Sequence, residues 1–223
     1  MYGNKNMEIK GYEMKAAIFD VDGTLLDTMD EWHDVGARYL TAMGIEPEPN
    51  LGDKLFNKTS ITSAEYMIEK YGLNMTVDQV RDGINKTVEG MYFQRVGFRQ
   101  GAREYLDKLI AEGVPMAIVT STDGYCIRGA MERLGYLDKF VAVLSAADLG
   151  TSKKQPDIFY TALESLGSKP SETWVFEDGL YAMETAKKEG FRILGIYDEI
   201  SRDDQDAIKE ISDIYIKEFT ELL

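Results

Sequence analysis

Ala16-Ala17-Ile18-Phe19-Asp20-Val21-Asp22-Gly23-Thr24 sets an apolar run in front of two carboxylates spaced i and i+2. Successive strand side chains point to opposite faces, so Asp20 and Asp22 are expected on one side where the strand runs out. Gly23 lets the backbone turn sharply at that point. Like charges this close raise each other's pKa unless a cation or phosphate chemistry engages them. Taken alone, Asp-x-Asp-Gly leaves two readings open: an acidic turn that closes a strand, and a cation-binding loop.

From residue 98 onward short apolar runs alternate with helical patterns, the signature of a parallel sheet with crossover helices. The predicted strands are Val114 to Val119, Phe140 to Leu144, Thr173 to Phe176, Arg192 to Ile196 and Ile214 to Ile216. Ligands of open parallel sheets bind beyond the carboxyl ends of the strands. Asp20, Thr120 and Asp178 each fall at such an end. Between the first strand and this region the pattern is helical. Met29, Trp32, Val35, Gly36, Tyr39, Leu40 and Met43 recur at helical spacing and stop at Gly44. A second helix reads from Ala64, Met67, Ile68 and Tyr71. A third reads from Val77 through Val80, Ile84, Val88 and Met91 to Tyr92, with Thr76 and Gln79 at capping-box spacing. The fold expected is therefore α/β, with a parallel-sheet core over 14–28 and 98–223 interrupted by a helical insert over 29–97. Residues 1–13, polar and patternless, are expected to form a loose extension, with the first strand beginning at Met14-Lys15.

Composition narrows the function classes. The 223 residues are 44% hydrophobic, enough to bury a sizeable core. A net charge of −14 and a pI near 4.6 argue against a basic surface for nucleic acid or anionic membrane, so an anion must be held by local positive charge. The single cysteine, Cys126, cannot form an intrachain disulfide and reads as an early, packed helix position. With no signal peptide and no long apolar span, the cytoplasm is the expected compartment. Neither a membrane nor a protein partner is indicated. The acidic run Asp203-Asp204-Gln205-Asp206 reads as the first turn of a helix with Ser201 as a possible cap.

The longer string Asp20-Val-Asp-Gly-Thr-Leu-Leu-Asp27-Thr28 resembles the first motif of the haloacid dehalogenase superfamily, and three more of its motifs follow in order. Thr120-Ser121 closes an apolar run, as the second does. Lys153, ahead of Lys154-Gln155-Pro156-Asp157, resembles the third; counting back from Pro156-Asp157 selects Lys153 over Lys154. Phe176-Glu177-Asp178-Gly179 resembles the fourth. The resemblance spans residues 15 to 197 and implies a Rossmann-like core with a mobile helical cap inserted after the first motif, the arrangement of subfamily I. Its hinges would lie near Thr28 to Asp30 and Val96 to Gly101.

The resemblance also implies roles. Asp20 would attack phosphorus as the nucleophile and Asp22 would serve as general acid and base. A carboxylate approaching a phosphate dianion meets about 5 kcal/mol of repulsion per charge pair at roughly 3.5 Å and an effective dielectric near 20. Magnesium would offset it, held by the carboxylates of Asp20 and Asp178 and the backbone carbonyl of Asp22, with Glu177 behind them. Thr120, Ser121 and Lys153 would bind the phosphoryl group. The substrate implied is a small phosphorylated metabolite, with cap residues Trp32, His33, Asn57, Lys58 and Tyr92 as candidates for recognising it. Two positions depart from the family pattern: Gly179 stands where many relatives have Ser, and Ala182 where many have Gly. The second aspartate favours phosphoryl transfer over carbon–halogen cleavage.

A phosphomutase resembling β-phosphoglucomutase is the alternative. Its cap histidine would fall where Trp32 stands, one residue before His33, the only histidine, and its cap arginine has no counterpart in Leu55-Phe56-Asn57-Lys58-Thr59-Ser60-Ile61. A non-catalytic protein that binds phosphorylated metabolites is a further reading, though such a protein would have no use for both Asp20 and Asp22.

Overall fold

A computed structural model describes residues 7–56 and 58–223. Strands β1 (Met7–Ile9) and β2 (Tyr12–Met14) form an antiparallel hairpin with Met7 opposite Met14 and Ile9 opposite Tyr12. Both residues of its two-residue loop, Lys10 and Gly11, have positive φ, at 45° and 88°. Such a turn matches the twist of the strands it joins. Met7, Ile9 and Met14 are buried, and Trp174 Nε1 donates to the Glu13 carbonyl at 3.1 Å. The loose extension expected over 1–13 is thus corrected from Met7 onward; residues 1–6 lie outside those described. Met14 closes the hairpin, and the sheet strand β3 begins at Ala16 and ends at Phe19.

The chain divides into two units: residues up to Asp27 together with Gly97–Leu223, and Thr28–Val96. The second is helical throughout. It holds α1 (Met29–His33), α2 (Val35–Ala42), α3 (Leu51–Phe56), α4 (Ser60–Tyr71) and α5 (Val77–Gln94) around a core that includes Tyr39, Leu40, Leu51, Ala64, Met67 and Val80. The single helix expected from Met29 to Met43 is broken at Asp34, which separates α1 from α2. A one-residue break leaves the apolar spacing in phase, so periodicity does not register it. Helix α3 was not expected. The reciprocal capping box of Thr76 and Gln79 is present at the start of α5.

In the first unit the elements after the insert are α6 (Ala102–Glu112), β4 (Met116–Thr120), α7 (Gly124–Leu134), β5 (Phe140–Ser145), α8 (Asp157–Leu166), β6 (Thr173–Glu177), α9 (Leu180–Lys188), β7 (Arg192–Ile196), α10 (Gln205–Ile211) and β8 (Ile214–Ile216). Six strands pair in parallel in the order β5-β4-β3-β6-β7-β8. The chain winds outward from β3 through β4 to β5, then returns to the other side for β6, β7 and β8. The reversal point lies at the carboxyl ends of β3, β4 and β6, where a crevice is expected.

Alternation along β3 explains the layers. Ala16 and Ile18 join Ala117, Val119, Val175 and Ile193 beneath α8, α9 and α10. On the opposite face Phe19 stacks on Phe176 at 4.3 Å between centroids, and Tyr105 of α6 packs against Phe176 and Phe219. Cys126 is buried on α7. Ser201 makes no side-chain cap: Arg202–Asp204 form a one-turn 3₁₀ helix and α10 starts at Gln205. Among the described residues no helix is long and apolar enough to cross a membrane.

The far edge is fastened by one carboxylate. Asp213 accepts from Lys187 Nζ at 2.7 Å, Arg192 Nη1 at 2.9 Å and the Ile193 amide at 2.8 Å. Burial works to raise its pKa, but these donors outweigh it and hold the group below the ordinary carboxylate value. A lowered folded pKa stabilises above the unfolded pKa, near 3.9, and the contribution is lost as pH falls through the folded value. Asp213→Asn is expected to lose about 1–3 kcal/mol at pH 7 in urea denaturation. The gap from the unsubstituted chain should close as pH is lowered below about 4; a gap constant with pH would show that charge is not what the site uses.

Candidate active site

At the carboxyl end of β3 the chain leaves the sheet with Asp20, 5% exposed and pointing at Lys153. Lys153 Nζ donates to Asp20 Oδ1 at 2.5 Å and to Glu177 Oε2 at 2.8 Å. Lys153 is itself 2% exposed, so one ammonium is buried between two buried carboxylates. Asp178, next after Glu177, completes the group: Asp20, Glu177 and Asp178 each offer an oxygen within 4.8 Å of the others. Three carboxylates against one ammonium leave an excess of negative charge. Burial first, and then Glu177, push the Asp20 carboxyl up to about 8 against the pull of Lys153. Burial and the Asp20 charge likewise raise Asp178. On Lys153 burial acts to lower the pKa, but Asp20 and Glu177 overcome it and hold the ammonium charged.

An all-oxygen set with surplus negative charge is the donor chemistry a hard dication prefers. The oxygens are not equally available for one. Glu177 spends Oε2 on Lys153 and accepts the Gly179 amide on Oε1 at 3.1 Å. Asp178 is oriented by Thr24, whose hydroxyl donates to Oδ1 at 3.0 Å. The Asp22 carboxylate is not a member of the cluster; its Oδ2 accepts from Thr122 Oγ1 at 2.7 Å, although its charge still acts on Asp20.

Thr120 ends β4, buried, with its hydroxyl accepting the Thr122 amide at 3.1 Å. Ser121 Oγ lies 3.3 Å from Tyr181 Oη. Of the two adjacent lysines, Lys153 enters the cluster, whereas the Lys154 ammonium lies over the Tyr181 ring, 5.9 Å from its centroid. Thr24, Thr122 and Tyr181 were not assigned roles from the sequence. Thr24 lies within the first-motif string and Thr122 directly follows Thr120-Ser121, which is the signal they carry.

The candidates in the helical unit are occupied locally. Trp32 Nε1 donates to Tyr92 Oη at 3.1 Å, the two rings meeting edge to face. His33 places Nδ1 at 3.2 Å from Asp34 and Nε2 at 2.9 Å from Asp53, and those two carboxylates raise its pKa. Lys58 Nζ lies over the Tyr66 ring. Asn57 lies outside the described residues.

Residues 17–196 match the model of the haloacid dehalogenase-like hydrolase family. The chain is 27% identical over 187 residues to a phosphorylated carbohydrates phosphatase of Thermotoga maritima, covering 82% of this chain and 85% of that protein. It is 26% identical over 210 residues to a validoxylamine A 7'-phosphate phosphatase of Streptomyces hygroscopicus subsp. limoneus, covering 93% of this chain and 95% of the other. A solved structure described as "putative beta-phosphoglucomutase from Thermotoga maritima" superposes with a TM-score of 0.82 at 22% identity, over 94% of this chain and 97% of that one. That last likeness is one of fold.

Arg99, which no motif marks, holds the turn after β3. Its guanidinium is 10% exposed and donates to the carbonyls of Gly23, Tyr197 at 2.8 Å and Lys217 at 3.4 Å, with Asp198 Oδ2 at 3.3 Å. Its own amide donates to Leu25 O at 2.9 Å, and the Asp27 amide donates to Gly97 O at 3.1 Å. The segment carrying Asp22 is thereby pinned to the carboxyl ends of β7 and β8. A lysine has the charge but not the fork to reach several carbonyls at once. Arg99→Lys is expected to cost about 2–4 kcal/mol in urea denaturation. It should also speed amide hydrogen exchange at Gly23 to Leu26 more than in α8; uniform acceleration would contradict a local clamp.

Proposed function

The chain belongs to the haloacid dehalogenase-like hydrolases, and on that premise we propose that it is a magnesium-dependent phosphatase of small sugar-phosphate-like metabolites, working through a phosphoryl intermediate on Asp20. The observation that carries this reading is the buried ammonium of Lys153 between Asp20 and Glu177 at the reversal point of the sheet. The same reading makes the helical unit the family's cap domain.

Asp20 attacks phosphorus and takes up the phosphoryl group, splitting one hard displacement into two easier ones. Asp22, held by the Thr122 hydroxyl, gives a proton to the leaving oxygen and then takes one from the water that hydrolyses the acyl phosphate. Lys153 lays positive charge beside the transferring oxygens, and Thr120 and Ser121 donate to them. Magnesium would be held by the carboxylates of Asp20 and Asp178 and the carbonyl of Asp22, with Glu177 behind them, and when bound it supplies charge that offsets the incoming phosphate. Thr24 keeps Asp178 turned toward that place. His33, with Asp34 and Asp53 against its two ring nitrogens, favours hydrolysis over a mutase that needs a free cap histidine.

The test is phosphate release from a panel of phosphorylated metabolites with magnesium or with a chelator, including glucose 1-phosphates under coupled detection of glucose 6-phosphate. Magnesium-dependent release is expected, reduced by about a thousand-fold or more in Asp20→Asn and by about 10²–10⁴-fold in Asp22→Asn. Glucose 6-phosphate formed without release would replace this reading with a mutase, and silence in both assays with a binding protein.

A further inference from the structure

The Tyr181 ring packs closely against residue 179, which has no side chain. A Cβ on Gly179 would sit 3.2 Å from Tyr181 Cε1 and 3.1 Å from Glu177 Oε1, closer than such contacts comfortably allow. Gly179 has an ordinary backbone conformation, φ −94° and ψ 116°, so the turn itself does not require glycine there. A side chain there would press on the phenol and on Glu177 by a few tenths of an ångström. The ring lies across residue 179, its face is covered by the Lys154 ammonium, and its hydroxyl reaches 3.3 Å from Ser121 Oγ. Tyr181 is nonetheless 40% exposed, an open edge beside a buried charged cluster.

We propose that Tyr181 is a specificity residue whose hydroxyl, beside the phosphate-binding Ser121, binds a hydroxyl group next to the phosphoester of a polyol or sugar phosphate. The inference rests on the phosphatase reading above and names the substrate feature that reading leaves open. The phenol hydroxyl, both donor and acceptor, suits a neutral hydroxyl partner better than a second anion. The nearby cation, Lys154, lies over the ring face. The phenol stands three residues beyond Asp178 on the first turn of α9, so the element that bears the cluster also carries the group that would read what is attached to the phosphate.

The test compares kcat/KM of the full chain with magnesium on its best sugar phosphate and on p-nitrophenyl phosphate, which has no hydroxyl. Tyr181→Phe keeps the ring and removes the oxygen. It is expected to lower the ratio of sugar phosphate to p-nitrophenyl phosphate about three- to ten-fold, mainly through KM, the size of one hydrogen bond between uncharged groups. Gly179→Ser should lower the same ratio by displacing the ring, and should lower it no further when combined with Tyr181→Ala. A ratio unchanged in Tyr181→Phe overturns the proposal. So does a Gly179→Ser effect that persists in the Tyr181→Ala background, since it would then act through Glu177. Absence of phosphate release from both substrates in the unsubstituted chain overturns the phosphatase reading and this inference with it, whereas release without a ratio shift removes the inference alone.

Discussion

The ammonium of Lys153, buried between Asp20 and Glu177, is the interaction on which the rest of the site depends. Taking an ammonium and several carboxylates out of water costs several kcal/mol per ion, and only close pairing restores it. Here the pairing is short on both sides, 2.5 Å and 2.8 Å. The geometry demands that Asp20 just past β3, Lys153 in the loop after β5 and Glu177 at the end of β6 arrive at one point. The parallel sheet meets that demand because β3 lies between β4 and β6 and the loops leave from a common edge.

A second constraint acts on the backbone. The turn from Asp20 to Leu26 must leave the sheet at once and still hold Asp22 near the cluster. Arg99 does this from the chain's re-entry into the sheet-bearing unit, bonding the Gly23 carbonyl on one side and the ends of β7 and β8 on the other. The pairing of Leu26 with Phe98 lays the exit and return of the helical insert side by side within that unit. The insertion point and the Asp22 turn are therefore one piece of structure, and a long helical insertion leaves the sheet's strand order intact.

The alternation of apolar runs and helical patterns made the α/β core legible in the sequence, and the strand-end rule brought Asp20 and Asp178 to one place. Capping chemistry marked the start of α5 at Thr76. What escaped has a common physical character. The hairpin at Met7 to Met14 turns through Lys10-Gly11, a weak turn signal in place of Asn-Gly, and its buried residues find partners such as Trp174 far along the chain. Arg99 acts through carbonyl oxygens, which every residue has, so no residue type announces its partners. The expectation that Asp20 and Asp22 share one side holds only up to the strand end. Past Phe19 the period of two no longer applies, and the carboxylates part, one to Lys153 and one to Thr122.

The electrostatics decide what a cation must do first. The chain carries a net −14, and its cluster adds three buried carboxylates to a single ammonium. Left to itself, such a site relieves the excess by keeping protons: burial and the neighbouring charges push Asp20 and Asp178 upward. On the proposed reading Asp20 attacks as the carboxylate, and added positive charge at its oxygens favours that form in a buried place. Lys153 provides part of that charge permanently. On the reading proposed above, a dication held by these oxygens would add to that charge, favouring the ionised form of Asp20 as well as offsetting the incoming phosphate.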